Sequence, residues 1–335
     1  MDHSTNPSAS HGPSRFALWA ALLTVYVVWG STYFGIAVAI ETIPPFVSMA
    51  IRFWIAGSAL LLWELARGRR SFAIPSRRQI RDAAIVGVLL LGIGNGFVAL
   101  GEKTVASGIA AILVAMIPLW FAVFGRIYFH DRLPRLVVIG IVIGLAGVAF
   151  LVAPSGAGGV TFDALGIAIL VVGPIGWAHG TLYSARRADL PARALTNTAI
   201  QMLAGAAMLT LEGAITGEWV DFHPGAISVR SIVALTYLIL IGSMVAFNAY
   251  AWLLRNAPLS LVGTYAYVNP IVAVALGTAF LGEVVSGRTL VASGIIVAAV
   301  ALIVTARSRG SRSPTEEPEP DPAEAAPTHL RTHEV

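Results

Sequence analysis

Arg52 is the one arginine or lysine set deep in an apolar run of this 335-residue chain. It stands eight residues beyond Pro44, which at about 1.5 Å per helical residue is roughly 12 Å along a helix. A guanidinium at that depth is costly in hydrocarbon and must face a cavity or a partner. Two roles suit it. It can bind an anion, because its planar fork matches a carboxylate, or it can bolt helices together through backbone carbonyls or an acidic residue at a helix end.

Histidine is the one side chain that titrates near neutral pH without help. His179 lies deep in another apolar run, so a proton relay would pass through it; the plainer role is a hydrogen-bonded packing residue. No acidic residue is central in any run. Glu64 and Glu212 lie near run ends, while Asp131 and Glu283 belong to loop edges. A carboxylate-driven proton antiporter therefore has little support in the sequence.

Asn95, Asn248 and Asn269 are amides that need partners once buried. Asn269 precedes Pro270, and a proline frees a backbone carbonyl one turn earlier, near Ala266. Pro118 and Pro270 thus point to helix breaks beside a polar midplane site. Trp29, Trp54, Trp120 and Trp177 sit at mid-depth, whereas Trp19, Trp63, Trp219 and Trp252 lie toward run ends, as interfacial belts require. Mid-depth aromatics line a pocket for an apolar ligand or simply pack. The candidate cavity set is Trp29, Arg52, Asn95, Pro118, Trp120, Trp177, His179, Asn248, Tyr265, Asn269 and Pro270.

The patterns of an intramembrane enzyme are missing. There is no HExxH and no pair of aspartates at mid-depth. Ser107-Gly108 follows Val105-Ala106, so it fails the Gly-x-Ser-Gly turn. The chain has no cysteine, which excludes disulfides and thiolate metal sites, and no cofactor or metal is implied. Without an ATP-binding motif, any transport must draw on gradients. A channel-like scaffold is the remaining rival.

These residues are carried by ten apolar stretches, placed at 16–40, 44–65, 82–101, 104–125, 135–153, 164–184, 194–215, 230–254, 258–281 and 288–306. A hydrocarbon core of about 30 Å needs about 20 helical residues, so the expected fold is an all-α polytopic membrane protein with ten transmembrane helices. Hydrophobic residues at 56%, charged residues at 12% and a mean hydropathy of +0.77 agree. Pro44, Pro134 and Pro258 suit helix first turns, where a missing N–H costs nothing. The first run is too long for a signal-peptide core and leads directly into the Pro44-Pro45 entry, which reads as a retained span. The pairs Gly140/Gly144 and Gly176/Gly180 have helix-packing spacing.

The net charge of +4 is no nucleic-acid signal, because the basic residues lie in short loops. If the N-terminus is cytoplasmic, eighteen of the 22 Lys and Arg fall on that side and only Lys103, Arg230 and Arg288 on the other. Positive charge is retained in the cytoplasm. Both termini are therefore expected inside a cell (inner) membrane, with the lipid bilayer and a small-molecule solute as partners. Oligomeric state is not legible. Residues 1–15 and 307–335 read as disordered cytoplasmic tails, the second acidic and Pro-rich, with too little to bury. The run 155–159 reads as a flexible Gly-rich turn.

Residues 106–152 resemble 257–304. Placing Pro118 on Pro270 also places Asp131 on Glu283, and a two-residue gap sets Gly140 on Gly294. A weaker match sets Trp29 on Trp177 and Arg52 on Gln201. Two five-helix halves, 16–153 and 164–306, then enter the membrane from opposite sides, the inverted repeat of many secondary transporters.

The whole apolar region resembles the EamA family of the drug/metabolite transporter superfamily. The resemblance rests on Trp29-Gly30-Ser31, Pro44-Pro45 with Arg52-Phe53, SGIAAILVAMIPLW (107–120), APLSLVGTYAYVNPIVA (257–273) and Leu281-Gly282-Glu283. The run at 107–120 is most like that of its YedA-type bacterial members. His130-Asp131 departs from the Gly-Glu that the family often has at the end of helix four. The resemblance implies ten helices, cytoplasmic termini and export or exchange of small metabolites or drugs by alternating access. It transfers no substrate.

Overall fold

The computed structural model describes residues 14–67, 74–152 and 163–310. The first thirteen residues, the Gly-rich run 155–159 and most of the acidic tail, 311–335, lie outside the described residues. Among those described, every regular element is helical. Eight helices are long and apolar enough to cross a membrane: α1 (Arg15–Ala39), α2 (Pro45–Arg67), α3 (Arg77–Gly101), α4 (Ser107–Phe129), α6 (Ala164–Arg186), α7 (Ala194–Ile215), α8 (Val229–Asn256) and α10 (Gly287–Ala306). Two shorter apolar helices are α5 (Arg135–Leu151) and α9 (Tyr265–Leu281).

Local chemistry sets the helix starts. Ser76 begins α3 with a reciprocal capping box: its hydroxyl accepts from the Gln79 amide, and Gln79 reaches back to the Ser76 amide. This moves the start of α3 from the expected 82 to 77, because a polar, arginine-bearing first turn carries no apolar signal. Asp163 caps α6 by accepting from the amides of Leu165 and Gly166. The Thr104 hydroxyl, with those amides, holds its carboxyl below the usual range. Pro44, Pro134 and Pro258 each stand one residue before their helix, so they are caps rather than first-turn residues. Their carbonyls accept the first helical bonds, as from Ser48 to Pro44 at 2.8 Å.

The ends of α4 and α9 are built alike. His130 and Gly282 both take the left-handed conformation, at φ 56° and 66°. The next amide folds back in each: Asp131 donates to the Gly125 carbonyl and Glu283 to the Gly277 carbonyl, both at 3.2 Å. This is the helix-ending motif in which a left-handed residue lets late amides reach early carbonyls. Gly125 and Asp131 fall on Gly277 and Glu283 in the alignment that pairs Pro118 with Pro270.

Both helices are also interrupted. Turn geometry at Ala115 and Met116 breaks α4 just before Pro118. A short helix, Leu259–Val262, precedes α9 and is separated from it by Gly263 and Thr264. Stretches of wider π-helix run through Val25–Trp29, Val88–Asn95 and Leu238–Phe247. Such bulges mark functional positions more often than chance allows.

α2 packs along α7 and α5 along α10. At Gly140 a Cβ would fall 2.7 Å from Ile303 Cγ1, so the small residue permits the α5–α10 approach. Large apolar side chains face outward, among them Phe16, Leu62, Val142, Ile215 and Ile271. That belt suits lipid rather than water. Ion pairs stand at the rims, with Arg186 on Asp131 at 2.7 Å and Arg193 on Glu64 at 2.6 Å on the basic side, and Arg230 on Glu41 at 3.3 Å opposite.

Candidate functional site

Seven helices leave a hollow between them, lined from α1, α2, α3, α4, α6, α8 and α9. The interruptions described above lie on its wall. Ile117 and Asn269, each the residue before the paired prolines, line it, as does Val114, whose carbonyl Pro118 leaves without a helical donor.

An aromatic cluster forms one end. Trp29 meets Trp177 edge to face with centroids 5.3 Å apart, Tyr265 in the same manner at 5.5 Å, and Tyr250 at 4.7 Å. Offset and edge-to-face contacts of this kind suit the aromatic quadrupole. Tyr250 is fixed by a 3.0 Å hydrogen bond with Thr181. Trp177 Nε1 and the Tyr265 hydroxyl, both buried, have no partner at normal hydrogen-bonding geometry. Two donors at the edge of an empty space can serve a guest molecule.

Arg52 brings the charge. It is 3% exposed, its Nε donates to the Ser243 hydroxyl at 2.7 Å, and one terminal nitrogen lies 3.7 Å from the Met49 sulfur. Its guanidinium carbon sits 4.8 Å from the centre of the Phe53 ring. A Cβ at Gly242 would fall 3.0 Å from a guanidinium nitrogen, so glycine there makes room for the fork. Among the described residues no carboxylate lies within ion-pairing distance of Arg52. The tie runs from α2 to α8.

Of the eleven residues proposed from sequence, Trp29, Arg52, Asn95, Trp177, Tyr265 and Asn269 line the hollow. The Asn269 amide, oriented to satisfy both groups, donates to the Tyr26 and Tyr265 carbonyls at 3.0 and 3.2 Å. Pro118 and Pro270 are buried but stand behind the lining. Trp120 stacks on Phe124. His179 Nδ1 donates to the Ile175 carbonyl (2.9 Å) and Nε2 meets the Tyr128 hydroxyl (3.1 Å), with the ring 3.9 Å from that of Phe124. Asn248 donates to the Met244 carbonyl at 2.7 Å. These last three are not brought to the hollow. Pro174, Tyr33, Phe247 and Ser243 reach the site unannounced. Of these, only Pro174, interrupting an apolar run beside Trp177, carried a sequence signal.

A second hollow lies toward the basic rim and is lined by Asn197, Gln201, Tyr250 and Arg255, among others. Phe247 belongs to both walls. Arg52 and Gln201, matched in the repeat, therefore line different hollows with the aromatic cluster between them.

At the opposite rim two carboxylates cap helices of other segments. Glu218 accepts from the amides of Phe46 (2.7 Å) and Val47 (3.2 Å) at the start of α2. Burial pushes its carboxyl up, and the two amides pull it back. Glu283 accepts from Ser107 (2.7 Å) and Gly108 (3.1 Å) at the start of α4. Negative charge is favoured at both places by the helix dipole.

Relatives extend over this whole arrangement. The chain is 40% identical over 287 residues to an uncharacterized inner membrane transporter, YedA, of Escherichia coli (strain K12), covering 85% of this chain and 90% of that protein. It is 23% identical to the uncharacterized transporter YvbV of Bacillus subtilis (87% and 92% covered). It is likewise 23% identical to the chloroplastic WAT1-related protein At3g02690 of Arabidopsis thaliana (88% and 71% covered). A solved crystal structure, 22% identical, superposes with a TM-score of 0.62 over 89% of this chain and 100% of that one, which shows the shared fold. The model of the EamA-like transporter family matches residues 16–153 and again 164–305. With a family model matched twice and helices apolar enough to span a bilayer, this multi-pass membrane protein belongs to the EamA-like transporter family.

Proposed function

We propose that the chain is a secondary transporter that exports or exchanges a small solute by alternating access around the hollow that Arg52 and the Trp29 cluster line. The observation that carries this reading is the placement of Arg52 and Gln201. Residues matched in the repeat line hollows on opposite sides of one aromatic layer, as two inverted halves rocking about a midplane site require. On this reading α1 to α10 make ten spans, the basic rim is cytoplasmic, and both termini lie inside.

The lining sets the solute class. Arg52 offers a guanidinium without a carboxylate partner, and the Trp29, Trp177 and Tyr265 rings offer flat apolar walls edged by the Trp177 and Tyr265 donors. A solute with a carboxylate and an apolar or aromatic body meets both. Arg52 is held at Nε by Ser243 and at one terminal nitrogen by the Met49 sulfur, which leaves the other terminal nitrogen to pair sideways.

Counterflow in proteoliposomes tests this. Vesicles preloaded with a mixture of unlabelled acids should accumulate labelled aromatic or branched apolar acids faster than their amides or the corresponding amines. Equal accumulation of amines would reject the guanidinium's role. No counterflow with any acid, amine or neutral solute would reject transport.

A further inference from the structure

Glu102 follows the last turn of α3 at the non-basic rim, and the transport reading leaves it without a task. It is 8% exposed, and neither carboxylate oxygen has a hydrogen-bond partner or contact with solvent. Its backbone amide donates to the Val98 carbonyl at 3.0 Å, so the side chain sits one turn beyond a residue that lines the hollow. The titratable groups whose fields reach across are Glu283, from the hairpin between α9 and α10, and Tyr33 of α1, itself part of the lining. The other charges at this rim are engaged elsewhere. Lys103 acts on Glu218, and Asp163 is taken up by the α6 amides and Thr104.

A bare carboxylate, out of water, without donors and beside a second carboxylate, is very costly to keep ionised. Burial first, and the Glu283 charge second, push the Glu102 carboxyl well above its ordinary range. Glu283 is committed to the Ser107 and Gly108 amides and is fixed there by Gly277, where any side chain would collide with its carboxylate. A hard divalent cation is poorly served. Such ions take about six oxygens or more, and no group of three His, Cys, Asp or Glu gathers among the described residues.

We infer that Glu102 is a reversible proton-binding site, loaded in this conformation and emptied when the starts of α4 and α10 part from α3 and water reaches the carboxyl. Its use to couple a proton gradient to solute movement rests on the transport reading; the proton site itself does not.

Infrared pH-difference spectroscopy on the full-length protein in lipid nanodiscs, with no solute added, tests the site through the C=O stretch of a protonated carboxyl. In the native chain a band should persist to pH values well above those at which free carboxyls ionise. It should vanish in Glu102→Gln and remain in Glu212→Gln. A band unchanged by Glu102→Gln overturns the proposal. Loss of the band on replacing choline by sodium at fixed pH assigns the site to a metal cation and overturns it equally. Gln copies the neutral carboxyl in size, so the variant should fold; if it does not, Glu102→Asp must shift the band, and an unshifted band overturns the assignment. A Glu102-dependent band in a protein that shows no counterflow would keep the proton site and remove the transporter.

Discussion

The indole of Trp29 meets that of Trp177 edge to face, centroids 5.3 Å apart and planes 88° from parallel. The pair joins α1 to α6, the helices that open the two halves of the repeat. Such a pair is worth about 0.5–1.5 kcal/mol beyond the area it buries. A double-mutant cycle with Trp29→Leu and Trp177→Leu, read by thermal unfolding in detergent, should return a coupling of that size. Additive losses would show that the rings merely share a space.

Arg52 and Ser243 form the next test. Removing the acceptor in Ser243→Ala should cost about 1.5–3 kcal/mol, as for other hydrogen bonds to charged groups. Arg52→Lys keeps the charge and loses the fork, while Arg52→Gln copies the amide at Gln201. Both should abolish counterflow of acids at near-normal yield of folded protein. Loss of folded protein in Arg52→Gln, with acid transport retained in Arg52→Lys, would identify the residue as a bolt between α2 and α8.

Glu283 bridges two segments far apart in sequence by capping α4. Glu283→Ala should lower stability by about 0.5–2 kcal/mol, the range for lost helix caps, and Glu218→Ala should do the same through α2. Glu283→Gln, which can still accept from one of the two amides, should lose less. Equal losses would place the contribution in charge rather than in hydrogen bonds.

The raised Glu102 carboxyl fixes the sign of a pH effect. A group that binds its proton more tightly in one conformation favours that conformation at low pH. The advantage is full below the ordinary carboxylate range and is lost as pH rises through the raised value. The closed non-basic rim should therefore become less populated toward alkaline pH, read as faster labelling of a cysteine introduced at Thr104. Glu102→Gln should flatten the profile. A native profile independent of pH would remove the effect.

Topology follows from the arginines. Reporter fusions after Arg187 and Ala306 should read cytoplasmic and a fusion at Glu218 external. A periplasmic reading after Ala306 would reject the ten-span arrangement.

Much of this was legible in residue types. Arg52, Trp29, Trp177, Asn95, Tyr265 and Asn269 were read from the sequence, and all six line one hollow. Depth along a helix follows from counting residues; facing does not. Trp120 and His179 lie at suitable depths but on the wrong side, packed against Phe124. Pro118 follows a break at Ala115 and Met116, as expected, whereas Pro270 sits inside the continuous helix Tyr265–Leu281, and in both cases the preceding residue takes the lining. Glu102 looked like a loop residue. The groups whose fields reach it, Tyr33 and Glu283, come from distant parts of the chain, which no local pattern records.

Phe247 is part of both hollows. Where this side chain stands, a single phenyl ring is shared by the two walls. Trimming that ring would therefore merge the two chambers instead of enlarging one of them, so the size of the first cannot be tuned at this position without changing the second.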